Sequence, residues 1–200
     1  MKNFIFDFGL VLVDFDTEYM TKAYIKNEAD VKLAKDVIFD RLYWDKLDAG
    51  TITDQEVKEG IKSRLPQRLW ENACKAYDNW YYNLPFIDGM PDLVREIKAS
   101  GGKLYILSNI STTFAENYVA VPELKELFSL FDGLVFSAKV GFTKPSADIF
   151  EYVLSKYNLD RAETAFIDDS EKNVNGANAV GINGILFDGD AEKLRKTLGL

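Results

Sequence analysis

The sequence predicts an α/β fold, a doubly wound parallel sheet with an inserted α-helical cap. Three observations carry this. Five short runs are apolar throughout and end on a polar residue: Phe4-Ile5-Phe6 before Asp7, Leu104–Leu107 before Ser108, Leu134–Phe136 before Ser137, Ala165–Ile167 before Asp168, and Ile185–Phe187 before Asp188. Such runs fit strands buried on both faces. Helical patterns separate most of them, as in successive parallel crossovers. Roughly 95 residues lie between the first run and the second, where a crossover needs only about a dozen or more.

Along the chain, Asp14-Phe15-Asp16 reads as a hinge after the first strand. Tyr19 to Glu28 and Val31 to Tyr43 are helical candidates. Thr53-Asp54-Gln55-Glu56 is a capping box, in which Thr and Glu satisfy each other's free backbone amides, and it opens a helix through Ser63. Pro66 stands near a helix start and leads into Arg68 to Tyr82, while Pro85 and Asp88-Gly89-Met90-Pro91 mark the exit from this stretch. The expected division is a core of residues 1–16 and 86–200 and a helical cap of residues 17–85. The cap aromatics Tyr43, Trp44, Trp70, Tyr77, Trp80, Tyr81 and Tyr82 are expected mainly to fill the helix bundle, with one or two facing a ligand. Cys74, in a cap helix, is expected to be a buried, inert thiol. In the core, Pro91 to Ser100 is amphipathic through Leu93, Val94 and Ile97, and Gly101-Gly102 stops it. Ser146 to Tyr157 and Asn173 to Val180 are further helices, the latter stopped by Gly181. Asp188-Gly189-Asp190 turns into a last helix, Ala191 to Thr197.

Composition narrows the chemistry. The 200 residues include no histidine and a single cysteine, so triads built on His, His-ligated metal sites and intrachain disulfides are excluded. The 32 acidic residues against 24 basic ones give a net charge of -8, which favours a hard, oxygen-ligated cation such as Mg²⁺ as any metal. The same charge argues against general binding to nucleic acid or an anionic membrane. No apolar run approaches the ~20 residues of a membrane span, and the first residues do not read as a signal peptide. The expected compartment is the cytoplasm, and the expected state a monomer or weak homo-oligomer.

The polar residues at the strand ends point to a site. In an open parallel sheet, ligands bind beyond the carboxyl ends of the strands. Asp7, Ser108 and Asp168-Asp169 all follow such ends. Carboxylates with a backbone carbonyl would hold Mg²⁺ there. A hydroxyl at Ser108 and a cation at Lys144 would meet an anion, a combination suited to phosphoryl transfer.

Four segments in order carry a resemblance. They are Phe4-Ile5-Phe6-Asp7-Phe8-Gly9-Leu10-Val11-Leu12, Leu107-Ser108-Asn109, Lys144-Pro145, and Phe166-Ile167-Asp168-Asp169-Ser170-Glu171-Lys172-Asn173 followed by Gly176–Gly181. With them the chain resembles the haloacid dehalogenase-like (HAD) hydrolase superfamily over essentially its whole length. The resemblance implies a Rossmann-like core of strand order 5-4-1-2-3 under a type 1 helical cap. It implies a Mg²⁺-dependent phosphatase of a small phosphorylated metabolite, a sugar phosphate among the candidates. Asp7 would be the nucleophile that forms an aspartyl-phosphate. Asp7, the Gly9 carbonyl, and Asp168 or Asp169 would hold the metal. Ser108 and the backbone of Asn109 would bind the phosphoryl oxygens, Lys144 would balance charge, and Asn173 would orient the metal's surroundings.

The sequence departs from many family phosphatases at Gly9, where they carry a second Asp as general acid and base, although Asp-x-Gly forms occur among them. Such help is typically worth ~10²–10⁴-fold. Asp14 or Asp16 could stand in, or the leaving group could need little protonation, as in an acyl phosphate or an anomeric sugar phosphate. The rival readings are a 2-haloacid dehalogenase, which also lacks the second Asp, and a catalytically weakened protein that binds a phosphorylated ligand.

Overall fold

The computed structural model describes residues 1–200, with five strands in one all-parallel sheet. The strands are β1 (Asn3–Phe6), β2 (Lys103–Ser108), β3 (Gly133–Phe136), β4 (Thr164–Asp168) and β5 (Asn183–Leu186), in spatial order β3-β2-β1-β4-β5. This is the doubly wound α/β fold expected. Phe6 pairs with Ile106 on one side and Ile167 on the other, so Asp7 emerges between the ends of β2 and β4. The ladder continues one step further through the Asp7 amide, which donates to the Ile167 carbonyl at 2.9 Å. The fifth strand starts two residues before its apolar run, and the Phe187 amide still reaches the Asp168 carbonyl.

Alternation along the strands divides the core into two layers. Ile5, Tyr105, Leu107 and Phe166 face α10 (Ala147–Tyr157) and α11 (Glu171–Ala179). Phe4, Phe6, Leu104, Ile106, Ala165 and Ile167 face the opposite layer, which includes α6 (Met90–Ala99), α8 (Pro122–Phe128) and α12 (Ala191–Leu198). Burial on both faces is why the central strands are written as unbroken apolar runs. The short helices α7 (Thr112–Asn117), α8 and α9 (Ser137–Val140) lie between β2 and α10. None of these three was anticipated, because each is too short to show a helical period.

The long connection after β1 is helical: α1 (Thr17–Lys22), α2 (Glu28–Ile38), α3 (Arg41–Asp48), α4 (Asp54–Arg64) and α5 (Trp70–Asp78). Two expected helices are divided differently. Tyr19 to Glu28 is broken because the Asn27 side chain accepts the Asp30 amide and restarts the chain as α2. Val31 to Tyr43 is broken at Asp40, whose carboxylate accepts the Leu42 amide and opens α3. In both, a polar side chain competes with the running helix and wins as an N-cap. The Thr53–Glu56 capping box is reciprocal. The stretch from Arg68 to Tyr82 is α5 flanked by 3₁₀ turns at Gln67–Leu69 and Trp80–Tyr82.

Entry to and exit from this helical segment run side by side. Val13 bridges Phe86, the Asp14 amide donates to the Pro85 carbonyl at 2.8 Å, and the Ile87 amide donates to Leu12 at 3.1 Å. Asp16 caps α1 through the Glu18 and Tyr19 amides. Trp44, Tyr77, Trp80 and Tyr81 are buried, Tyr43 and Trp70 are partly so, and Tyr82 is exposed. Phe15 sits edge-on to Phe39, Trp44 and Trp80. Cys74 is half-buried rather than enclosed, because α5 turns that side of its surface toward solvent, and what burial it has raises its thiol pKa. No helix is long and apolar enough to cross a membrane.

Gly176 sets how closely α11 approaches the loop that carries Lys144. A Cβ there would lie 2.6 Å from the Pro145 carbonyl oxygen and 3.0 Å from the Pro145 Cβ. Gly176→Ala is therefore expected to destabilise the protein by about 1–3 kcal/mol, the usual cost of overpacking, read as a lower urea midpoint.

Candidate active site

The site is built where β1, β2 and β4 end. Asp7 Oδ1 accepts the Phe8 amide at 2.7 Å and the Lys144 ammonium at 2.8 Å. The same ammonium donates to Asp168 Oδ2 at 2.7 Å. Lys144 and Asp168 are enclosed, with side chains 1% and 0% exposed, while Asp7 keeps 13%. Asp168 is also held by the Ser170 amide at 2.9 Å and by Asn173 Nδ2 at 3.0 and 3.2 Å. The Lys144 backbone is clamped to the end of β2. Its amide donates to Asn109 Oδ1 at 2.8 Å, and its carbonyl accepts from Asn109 Nδ2 at 3.0 Å.

Burial dominates the electrostatics. It raises the Asp7 carboxyl, with Lys144 pulling the other way and Asp168 adding to the rise. Burial alone would lower Lys144, but Asp7 and Asp168 together hold its ammonium above the ordinary value. Burial and then Asp168 raise Asp169. One ammonium thus faces three carboxylates. Oxygens of Asp7, Asp168 and Asp169 all lie within 4.8 Å of one another. An all-oxygen set with surplus negative charge fits a hard divalent cation.

A cavity of about 530 Å³ opens above these residues. Asp7, Gly9, Ser108, Asn109, Lys144, Asp169 and Asn173 line it. Asp168 lies behind, engaged with Lys144 and Asn173, and the suggested stand-ins Asp14 and Asp16 do not line the cavity either. The Asn109 amide group is spent on the Lys144 clamp, which leaves its backbone as the part that could meet a ligand. A Cβ at Gly9 would meet nothing within 4 Å.

Residues 1–181 match the haloacid dehalogenase-like hydrolase family. This chain belongs to that family. A sesquiterpene phosphatase (astK) of Aspergillus oryzae is 38% identical over 184 residues, 92% of this chain and 88% of that protein. A D-ribitol-5-phosphate phosphatase of Bacteroides thetaiotaomicron is 27% identical over 179 residues, 87% of this chain and 85% of that one. In fold, the chain resembles a HAD family enzyme of the same bacterium crystallised with magnesium and inorganic phosphate. The TM-score is 0.69 at 22% identity, covering 97% of this chain and 98% of that one.

This HAD-like hydrolase places one further acid in the cavity that the sequence did not single out. Asp48, the last residue of α3, lines the cavity and is 5% exposed. Its Oδ1 is buried with no hydrogen-bond partner. Its backbone carbonyl accepts the Ser137 hydroxyl at 2.5 Å, which ties the end of α3 to α9. Burial pushes its carboxyl up to about 8. Arg41 and Lys144 pull it down, and Asp45 and Asp7 push it further up. The available signal was a carboxylate at a helix C-terminus, where the helix dipole opposes negative charge. Phe15, Trp44 and Trp80 form an aromatic wall of the same cavity, with Arg41, Asp45 and Lys172 also lining it.

For a carboxyl raised to about 8 in the folded state, against ~3.9 when unfolded, the contribution to stability is fully present below the unfolded value and is lost progressively above it. As pH rises above the unfolded value, the unfolded chain releases this proton and the folded one retains it, so stability falls until about pH 8. Asp48→Asn removes that contribution. Its advantage in unfolding free energy over the wild type is expected to grow from pH 4 to pH 8 and then level off, measured by urea unfolding across that range.

Proposed function

We propose that this HAD-like hydrolase is a Mg²⁺-dependent phosphatase of a small phosphorylated metabolite, working through an aspartyl-phosphate on Asp7. The observation that carries the reading is the Lys144 ammonium, bonded at 2.8 Å to Asp7 and 2.7 Å to Asp168 at the floor of the cavity. Lys144 and the Phe8 amide fix the Asp7 carboxylate through Oδ1, so that one of its oxygens would attack phosphorus and the other would meet the metal. Ser108 and the Asn109 backbone, at the end of β2, would hold the phosphoryl oxygens. Mg²⁺, held by Asp7, the Gly9 carbonyl and Asp168 or Asp169, would supply charge neutralisation between the attacking carboxylate and the phosphate. Asp168 serves this arrangement by holding Lys144, and Asn173 by holding Asp168.

The helices from α1 to α5 act as a cap that keeps water from the first step. The wall of Phe15, Trp44 and Trp80 would take the organic part of the substrate. A sugar phosphate remains a candidate, and the phosphatase relatives add a polyol phosphate and a sesquiterpenoid phosphate. Dehalogenation of a haloacid is disfavoured, because Asp169 beside Asp7 would repel a carboxylate substrate. A purely binding role is disfavoured by the complete Asp7–Lys144–Asp168 arrangement.

Phosphate release from a panel of sugar, polyol and prenyl phosphates is expected with Mg²⁺, and is expected to cease on chelation and in Asp7→Asn. Undiminished release in Asp7→Asn would remove Asp7 as the nucleophile.

A further inference from the structure

We propose that Asp48, on the last turn of α3, is the general acid and base of the reaction, in place of the carboxyl that Gly9 lacks. The proposal rests on the phosphatase reading. Gly9 leaves open space on its side of the cavity, since a Cβ there would touch nothing within 4 Å. Asp48 lines that same cavity together with Asp7, Gly9 and Lys144. Asp7 and Asp168 are each bonded to Lys144, whereas Asp48 Oδ1 is buried without any partner. A native fold seldom leaves a buried polar atom unsatisfied, and a catalytic role is one of the reasons it does so; Arg195 Nε shares this state but lies away from the cavity, whereas Asp48 lines it.

Position and protonation agree with the role. The Ser137 hydroxyl holds the Asp48 carbonyl at 2.5 Å, and the next turn passes close to Ala138, so the side chain is carried on fixed backbone. The charged groups that act on it are Arg41 and Asp45 on its own helix, Asp7 at the end of β1, and Lys144 on the loop before α10. With burial as the largest influence they leave the carboxyl protonated at neutral pH, as an acid must be before it donates. Other nearby acids are committed elsewhere. Asp16 caps α1, Asp14 does not line the cavity, and Asp45 is paired with Arg41 at 2.5 Å.

In the first step, an oxygen of the Asp7 carboxylate bonds to phosphorus as the bond from phosphorus to the ester oxygen breaks. That oxygen takes the Asp48 proton and leaves as an alcohol. Asp48, now a carboxylate, accepts a proton from the water that attacks the aspartyl-phosphate. Hydrogen phosphate leaves, and the Asp7 carboxylate and Asp48 acid are regenerated.

The test compares wild type with Asp48→Asn by rapid mixing on two esters. One is the alkyl phosphate that the wild type hydrolyses fastest, whose alkoxide needs a proton to leave. The other is p-nitrophenyl phosphate, whose phenolate needs none. The variant is expected to lose ~10²–10⁴-fold on the alkyl phosphate. On the nitrophenyl ester it is expected to release one equivalent of nitrophenolate per enzyme at the wild-type rate and then to slow, because the second step also lacks its base. The burst itself reports a folded variant with a working Asp7. Equal losses on both esters, or no loss on the alkyl phosphate, would overturn the role of Asp48 and leave the phosphatase reading standing. No phosphate release by the wild type would instead remove that reading.

Discussion

The site depends on one buried cation. Lys144, 1% exposed, lies between Asp7 and Asp168 in a region where an unpaired charge would be costly. Both bonds are needed to keep the ammonium there, and the fold supplies the geometry for them. The strand order puts β4 beside β1, so that two carboxylates end at one level. The Asn109 side chain then clamps the Lys144 backbone to β2, and Gly176 allows α11 to close on Pro145. Asn173, on the first turn of α11, completes the shell around Asp168. The floor of the cavity is therefore a product of sheet order and close packing, with one oxygen of Asp7 left for a ligand.

The core was legible because parallel strands buried on both faces leave unbroken apolar runs, and three of the five runs stop at a residue of the candidate site. Asp7, Ser108 and Asp168 could be placed from this rule alone. The internal divisions of the helical segment were not legible. Asn27 and Asp40 can sit on a helix surface or cap a new helix, and only the packing of α1 to α3 decides which. Asp48 escaped notice for a different reason. The end of α3 is placed by the bond from Ser137, 89 positions along the chain, to the Asp48 carbonyl, and no local pattern encodes that contact. The Asn109 clamp on the Lys144 backbone was not legible either, because it joins residues 35 positions apart that no local pattern pairs.

Asp48 also shows stability and chemistry pulling in opposite directions. Keeping a carboxyl protonated inside the fold costs stability once the pH is above its unfolded value, and an amide of the same shape carries no such pH-linked cost. Retaining the acid makes sense if it moves a proton. The absence of histidine is then no handicap, because a carboxyl raised to about 8 by burial titrates in the range where histidine ordinarily serves. On that proposal the helical segment would contribute chemistry as well as shelter, and the Ser137 hydroxyl, bonded to the Asp48 carbonyl, ties the end of α3 to α9.

The central claim is that Asp7, held by Lys144, carries the phosphoryl group. The most direct measurement is mass spectrometry of peptides from enzyme quenched in acid during turnover with Mg²⁺. The account predicts a phosphoryl group on the peptide containing Asp7, located on that side chain and removed by hydroxylamine. A phosphoryl group on any other residue would contradict it.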